Sequence, residues 1–288
     1  MFKINNNYYL ILKTIIFVTI LAYLYYFIDF ENILNKSDFH LYINNYYYFF
    51  IFFFISIIIN FLNTFRFSLI IKNIYNKKLS LIKSFQIIIY SGLASEIGNI
   101  FFFVSRYFLA KKVNLNLKKN IVVVSIEKIV SLLVYIIYFV IFIISIKFEN
   151  IYLFFGLILF LILSSKLNIV SKYLKKIKNT FAIIFQSILI QILVVVQLYI
   201  CAKFIGIDLT NYEIFFVIAF LIFVTSFSAT FTDWGYREFI FVLLLDYYKN
   251  LQEEAFILSI SFGLMSLISS LIVVVIFEFY SFFLRKRF

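Results

Sequence analysis

Two polar inserts interrupt an otherwise apolar chain, and both contain residue types suited to holding an anionic group. The first runs from Ser91 to Asn99 and includes Glu96, Gly98 and Asn99. The second runs from Ser226 to Glu238 and includes Asp233, Trp234, Gly235, Arg237 and Glu238. Arginine is a planar, permanently charged donor fork that grips phosphate oxygens in pairs, so Arg237 is the leading candidate for headgroup contact. Asp233 stands four residues earlier and, on a helix, shares the face of Arg237 and holds it when no ligand is bound. A competing reading makes Arg237, Asp233 and Glu238 an ion-pair staple that only stabilises the fold. Gly235 allows close approach of backbone or ligand, or is an ordinary turn glycine. Trp234 lines a substrate path or anchors the chain at the membrane interface, the commoner role for tryptophan.

Further ionisable residues extend the candidate site. Arg106 follows the first insert at the cytoplasmic end of its segment, where contact with annular phospholipid explains it as well as substrate binding does. Glu127 and Lys128 lie about two turns into their helix, roughly 9–11 Å deep, and as sequence neighbours they point to different faces. Glu96 is a natural partner for Lys128 or Arg237. Arg66 closes the second long hydrophobic stretch. Other chemistry has little support. His40 stands apart from any carboxylate cluster, Cys201 is the single cysteine, and no phosphate-binding loop of the P-loop type occurs. No metal, cofactor or ATP-driven mechanism is expected.

The elements that must position these residues are membrane helices. The chain has 288 residues, is 64% hydrophobic and 14% charged, and has a mean hydropathy of +1.03. Apolar runs near membrane-spanning length recur along it, and Ile121–Ile146 and Phe181–Phe204 are apolar on every face, which excludes the alternating pattern of a β-barrel. No polar stretch is long enough to build a soluble core of its own. The first apolar stretch, Tyr8–Ile28, lacks a small-residue cleavage site and is expected to be a retained span. With no proline, 22 Tyr and 42 Phe, aromatic abundance by itself carries no binding argument.

The net charge of +12 is a matter of topology rather than of nucleic-acid binding, because cytoplasmic loops collect Lys and Arg. Basic clusters lie at Arg66–Lys83, Arg106–Lys119, Lys166–Lys178 and Arg285–Arg287. Placing all four inside leaves only Lys36, Lys147, Lys203 and Lys249 outside, with Lys128 and Arg237 in the membrane. The segment from Ser84 to Val104 then starts and ends inside, and that from Ile214 to Tyr248 starts and ends outside. Both become re-entrant hairpins; as full spans they would divide the basic clusters evenly between the two faces. Six spans remain, near Tyr8–Ile28, Tyr46–Phe65, Ile121–Ile146, Ile151–Leu163, Phe181–Phe204 and Ala255–Leu284. The expected fold is therefore an all-α polytopic membrane protein with cytoplasmic termini. It is a single domain of residues 1–288 whose halves, about 1–147 and 148–288, form an inverted-topology repeat. Such repeats place substrate sites where broken helices meet near the midplane.

Arg66, the insert leading into Arg106-Tyr-Phe-Leu-Ala-Lys-Lys112, the helix bearing Glu127-Lys128, and Asp233-Trp-Gly-Tyr-Arg-Glu238 occur in an order that resembles one known family. It is the lysylphosphatidylglycerol synthase transmembrane (flippase-like) family, and Gly235, Arg237 and Glu238 form the most specific part of the likeness. The resemblance implies handling of a membrane phospholipid or lipid-linked glycan in a bacterial or archaeal cytoplasmic membrane. It does not imply lipid aminoacylation, because the soluble aminoacyl-transfer domain of some members has no counterpart in these residues.

Three functions follow as expectations. The preferred one is binding and translocation of a lipid with an anionic headgroup, which passes the polar hairpins while its tail stays in the bilayer. The second is a membrane-embedded lipid-linked glycosyl or headgroup transferase, which needs a base with a tuned pKa. The third is a non-catalytic membrane partner of a glycosyltransferase.

Overall fold

The computed structural model describes residues 45–145, 180–210, 236–249 and 252–285. These form seven helices and no strand: α1 (Tyr46–Tyr75), α2 (Leu81–Ile97), α3 (Asn99–Lys112), α4 (Leu117–Ser145), α5 (Thr180–Phe204), α6 (Tyr236–Lys249) and α7 (Gln252–Arg285). Three of them are long and apolar enough to cross a bilayer, namely α1, α5 and residues Gln252–Phe282 of α7. Their outward faces are apolar too, with Phe54, Phe181 and Phe279 exposed. Such a surface suits hydrocarbon, where a helix satisfies every backbone group internally. The chain is a helical membrane protein. The expected spans Tyr8–Ile28 and Ile151–Leu163 lie outside the described residues, as does the loop Lys166–Lys178 and most of the second polar insert.

Helix ends follow local chemistry. Asn76 takes a left-handed conformation (φ 50°) to stop α1, a backbone state that asparagine tolerates at helix C-termini. The Ser80 hydroxyl caps α2 by accepting from the Lys83 amide, and the Asn116 side chain accepts from Lys119 N at 3.0 Å to open α4. The helix α1 runs nine residues past Arg66, whose guanidinium is hydrogen-bonded by Ser131, Ser187 and Asn63.

The first insert breaks a helix at Gly98, which is buried and extended. Gly98 N donates back to Ala94 O, and Gly98 O accepts from Phe102 N, so one residue ends α2 and begins α3. The two arms pack against each other, and Ile87, Ile88 and Ala110 share one buried cluster. On an unbroken helix, residues 88 and 110 would be about 33 Å apart. The element is thus a helical hairpin. Its ends meet, since Lys77 Nζ donates to Val113 O across the base, and Tyr75 Oη donates to Lys119 O.

This arrangement sorts charge along the bundle. The end of α1, the start of α2, the end of α3 and the start of α4 come together, bringing Lys72, Lys77, Lys78, Lys83, Lys111, Lys112, Lys118 and Lys119 to one end. The start of α1 meets the end of α5 at the other end, where Asn45 Nδ2 donates to Phe204 O. The helix α6 packs against α7 through a two-residue link. Apolar packing seals both halves, around Phe52, Leu198, Phe241 and Leu258 in one and around Phe67, Ile70, Val123 and Ile183 in the other.

Candidate functional site

Among the described residues, five charged side chains are buried in this apolar bundle: Arg66, Arg106, Glu127, Arg237 and Glu238. Charge at such depth is costly unless paired and hydrogen-bonded. They fall into two groups.

The first group joins α3, α4, α1 and α5. Arg106 Nη2 donates to Glu127 Oε2 at 2.5 Å, with both side chains more than nine-tenths buried. The guanidinium lies over the rings of Phe67, 4.7 Å from its centroid, and Phe102, at 5.3 Å, a cation–π contact strengthened by desolvation. Arg106 Nε and Glu127 Oε1 are buried without a hydrogen-bond partner. One turn along α4 from Glu127, Ser131 accepts from Arg66 Nη1 at 3.1 Å. The same Nη1 reaches Ser187 Oγ on α5 at 3.0 Å, and Nη2 reaches Asn63 Oδ1 at 2.8 Å. A polar layer thus crosses four helices.

The second group lies on one face of α7. Arg237 Nη2 donates to Glu238 Oε1 at 2.9 Å, and Arg237 Nε donates to Ser259 Oγ at 3.2 Å. The Ser259 hydroxyl donates on to the same Glu238 oxygen at 3.2 Å, closing a ring of three side chains. Gly263, one turn further along, makes the room. A Cβ added there would stand 2.0 Å from Arg237 Nη2. Ser266, the next small residue on that face, donates to Glu96 Oε1 at 2.7 Å. Ser259, Gly263 and Ser266 therefore receive residues from both polar inserts, the tip of α2 and the start of α6. Gly263 is eleven residues into α7, about 17 Å from its start. The meeting point is well inside the helix.

The sequence-derived candidates divide accordingly. Arg237, Glu238 and Glu96 gather on α7. Gly98 makes the helix break and Asn99 opens α3. Asp233, Trp234 and Gly235 lie outside the described residues, and Glu238 is the carboxylate seen on Arg237. Arg106, for which annular-lipid contact and substrate binding were equal expectations, lies midway along α3 and is buried at 3% exposure, enclosed by Glu127 and two aromatic rings. Glu127 and Lys128 do part company: Lys128 faces outward, over the Phe103 ring at 5.4 Å. Glu96 accepts a hydrogen bond from the Ser266 hydroxyl.

Sequence reasoning missed Asn63, Ser131, Ser187, Ser259, Gly263 and Ser266. The last three had a signal, small residues at i, i+4 and i+7 on an apolar helix, the pattern that lets helices approach closely. Among the described residues no group of His, Cys, Asp and Glu is placed to hold a metal. No family model, curated protein or solved structure matches this chain.

Proposed function

We propose that this chain is an integral protein of a bacterial or archaeal cytoplasmic membrane that binds a lipid or lipid-linked glycan through its anionic headgroup and carries that headgroup across the bilayer. The observation that supports this best is the pair of arginine–carboxylate contacts buried in an apolar bundle, Arg106–Glu127 and Arg237–Glu238. Ionisable groups at such positions are functional candidates because their burial is so costly. A guanidinium already stripped of water offers a phosphate its donors without a second dehydration cost. Arg106 Nε, a buried donor not engaged by Glu127, is available to such an anion.

The placement of the two pairs favours movement over static binding. Each arginine belongs to a 14-residue helix, α3 or α6, and is buried against the long helix that follows. One of these helices ends at the basic end of the bundle and the other at the opposite end. In this reading the chain crosses the membrane six times. The α2–α3 hairpin re-enters from the cytoplasmic side and residues 214–248 from the other, in inverted halves with cytoplasmic termini. The likeness to the lysylphosphatidylglycerol synthase transmembrane family agrees with it.

Leaflet exchange of labelled lipids in vesicles containing only this protein is the test. The expected result is exchange of an anionic lipid that is lost in Arg237→Ala and in Arg106→Ala, with no covalent product. A modified lipid formed without any partner would make the protein a transferase. Failure of the unaltered protein to exchange any anionic lipid would overturn translocation and favour the non-catalytic partner role.

A further inference from the structure

Beside the polar sites lies an apolar groove of about 410 Å³ between α1, α2 and α7, lined by side chains that include Phe61, Phe65, Ile82, Phe85, Ile276 and Tyr280. We infer that this groove holds one hydrocarbon chain of an anionic lipid whose headgroup rests on Lys78 and Lys83. The inference rests on the lipid-handling reading above and gives that lipid its docking place in the cytoplasmic half of the bundle. The volume falls in the range of small-molecule sites. Its walls follow three helix faces: Ile57, Phe61 and Phe65 on α1, Ile82 and Phe85 on α2, and Val273, Ile276, Phe277 and Tyr280 on α7. From Val273 to Tyr280 the slot extends about 10 Å along the helix.

Charge decides the occupant. Leu81 and Ile82, at the mouth, are about half exposed and stand between Lys78 and Lys83, which are both exposed. The α2 N-terminus at this mouth adds a partial positive charge. Glu278 is the carboxylate on this part of α7, and it lies off the stripe of 273, 276, 277 and 280 that faces the groove. At the other end, the α2 tip joins α7 through Glu96 and Ser266, about 10 Å beyond Val273. The groove thus runs from a basic rim toward the polar cluster of Arg237 and Glu238. Hydrocarbon gains little by leaving lipid for an apolar protein surface, so selection falls to the rim, where each lysine confers about a fivefold preference for an anionic headgroup.

The experiment uses the full chain in vesicles with Trp234→Phe, which removes the only tryptophan, and Phe65→Trp as a reporter in the groove. Quenching is compared between chain-brominated phosphatidylglycerol and chain-brominated phosphatidylcholine at equal mole fraction. A second reporter, Phe185→Trp on the exposed face of α5, reads ordinary annular lipid. The expected result is a preference for phosphatidylglycerol at Phe65→Trp that is absent at Phe185→Trp and falls about fivefold in each of Lys78→Gln and Lys83→Gln. Equal preference at both reporters, a preference indifferent to both lysines, or no quenching at Phe65→Trp because another part of the chain fills the groove would each overturn it. Absence of leaflet exchange by the unaltered protein with the groove preference intact sinks only the translocation reading, and the reverse result sinks only the groove.

Discussion

At the residue scale, the decisive feature is that buried charge comes with its partner. Arg106 and Glu127 enclose each other between Phe67 and Phe102, so removing one leaves the other charged, buried and alone. Arg106→Ala is expected to cost about 3–5 kcal/mol, and Arg106→Ala combined with Glu127→Ala much less than the sum of the single changes. Thermal unfolding of the four proteins in detergent, as a double-mutant cycle, reads this coupling. Gly263 offers a sharper case. An added methyl would collide with the Arg237 guanidinium, the mobile end of a flexible side chain, so the arginine moves and the helix stays. Gly263→Ala should lose charge-assisted bonds worth about 1.5–3 kcal/mol, offset by about 1 kcal/mol of helix propensity. In an Arg237→Ala background the collision is gone, and the same change should become neutral or stabilising. Unfolding midpoints that drop equally in both backgrounds would remove the glycine's special role. The ionisable candidates were legible in the sequence because charge is rare in an apolar chain. Their partners were not, since nothing local links Arg66 to Ser187 across 121 positions.

At the scale of elements, the first polar insert is a hairpin and not a kink. The turn at Gly98 returns α3 alongside α2, and the Lys77–Val113 bond ties the two ends together. From the basic clusters, charge counting expects both ends of this element on one face of the membrane, because a segment flanked on both sides by lysines is held there. Cysteines replacing Lys78 and Lys112, both exposed, should react with an impermeant maleimide from the same face of sealed vesicles. A cysteine replacing Glu253, at the start of α7, should react from the opposite face. Cys201 is buried and does not interfere. Labelling of the first two from opposite faces would make this segment a single crossing of the membrane and undo the re-entrant topology. What the sequence did not reveal at this scale is helix length. The helix α1 extends to Tyr75, and within it Arg66 is hydrogen-bonded to Ser131, Ser187 and Asn63.

At the scale of the whole molecule, the two polar inserts are brought to one helix. Residues 96 and 237 are far apart in the chain, yet the tip of α2 and the start of α6 both dock on the Ser259–Gly263–Ser266 face of α7. Below that junction the α1–α2–α7 groove opens toward the lysine-rich end. The sequence by itself determined the solvent and the secondary structure, because a chain this apolar can satisfy its backbone only as helices in lipid. It also determined which end of each helix is basic, and which few charges are too expensive to be incidental. Only the tertiary structure decided which charge faces which. It joined Arg106 to Glu127, turned Lys128 outward, and set Arg237 into the notch at Gly263. The physical reason is that cost of burial is a property of one residue and is written in its type, whereas relief of that cost depends on a partner whose position only packing can supply.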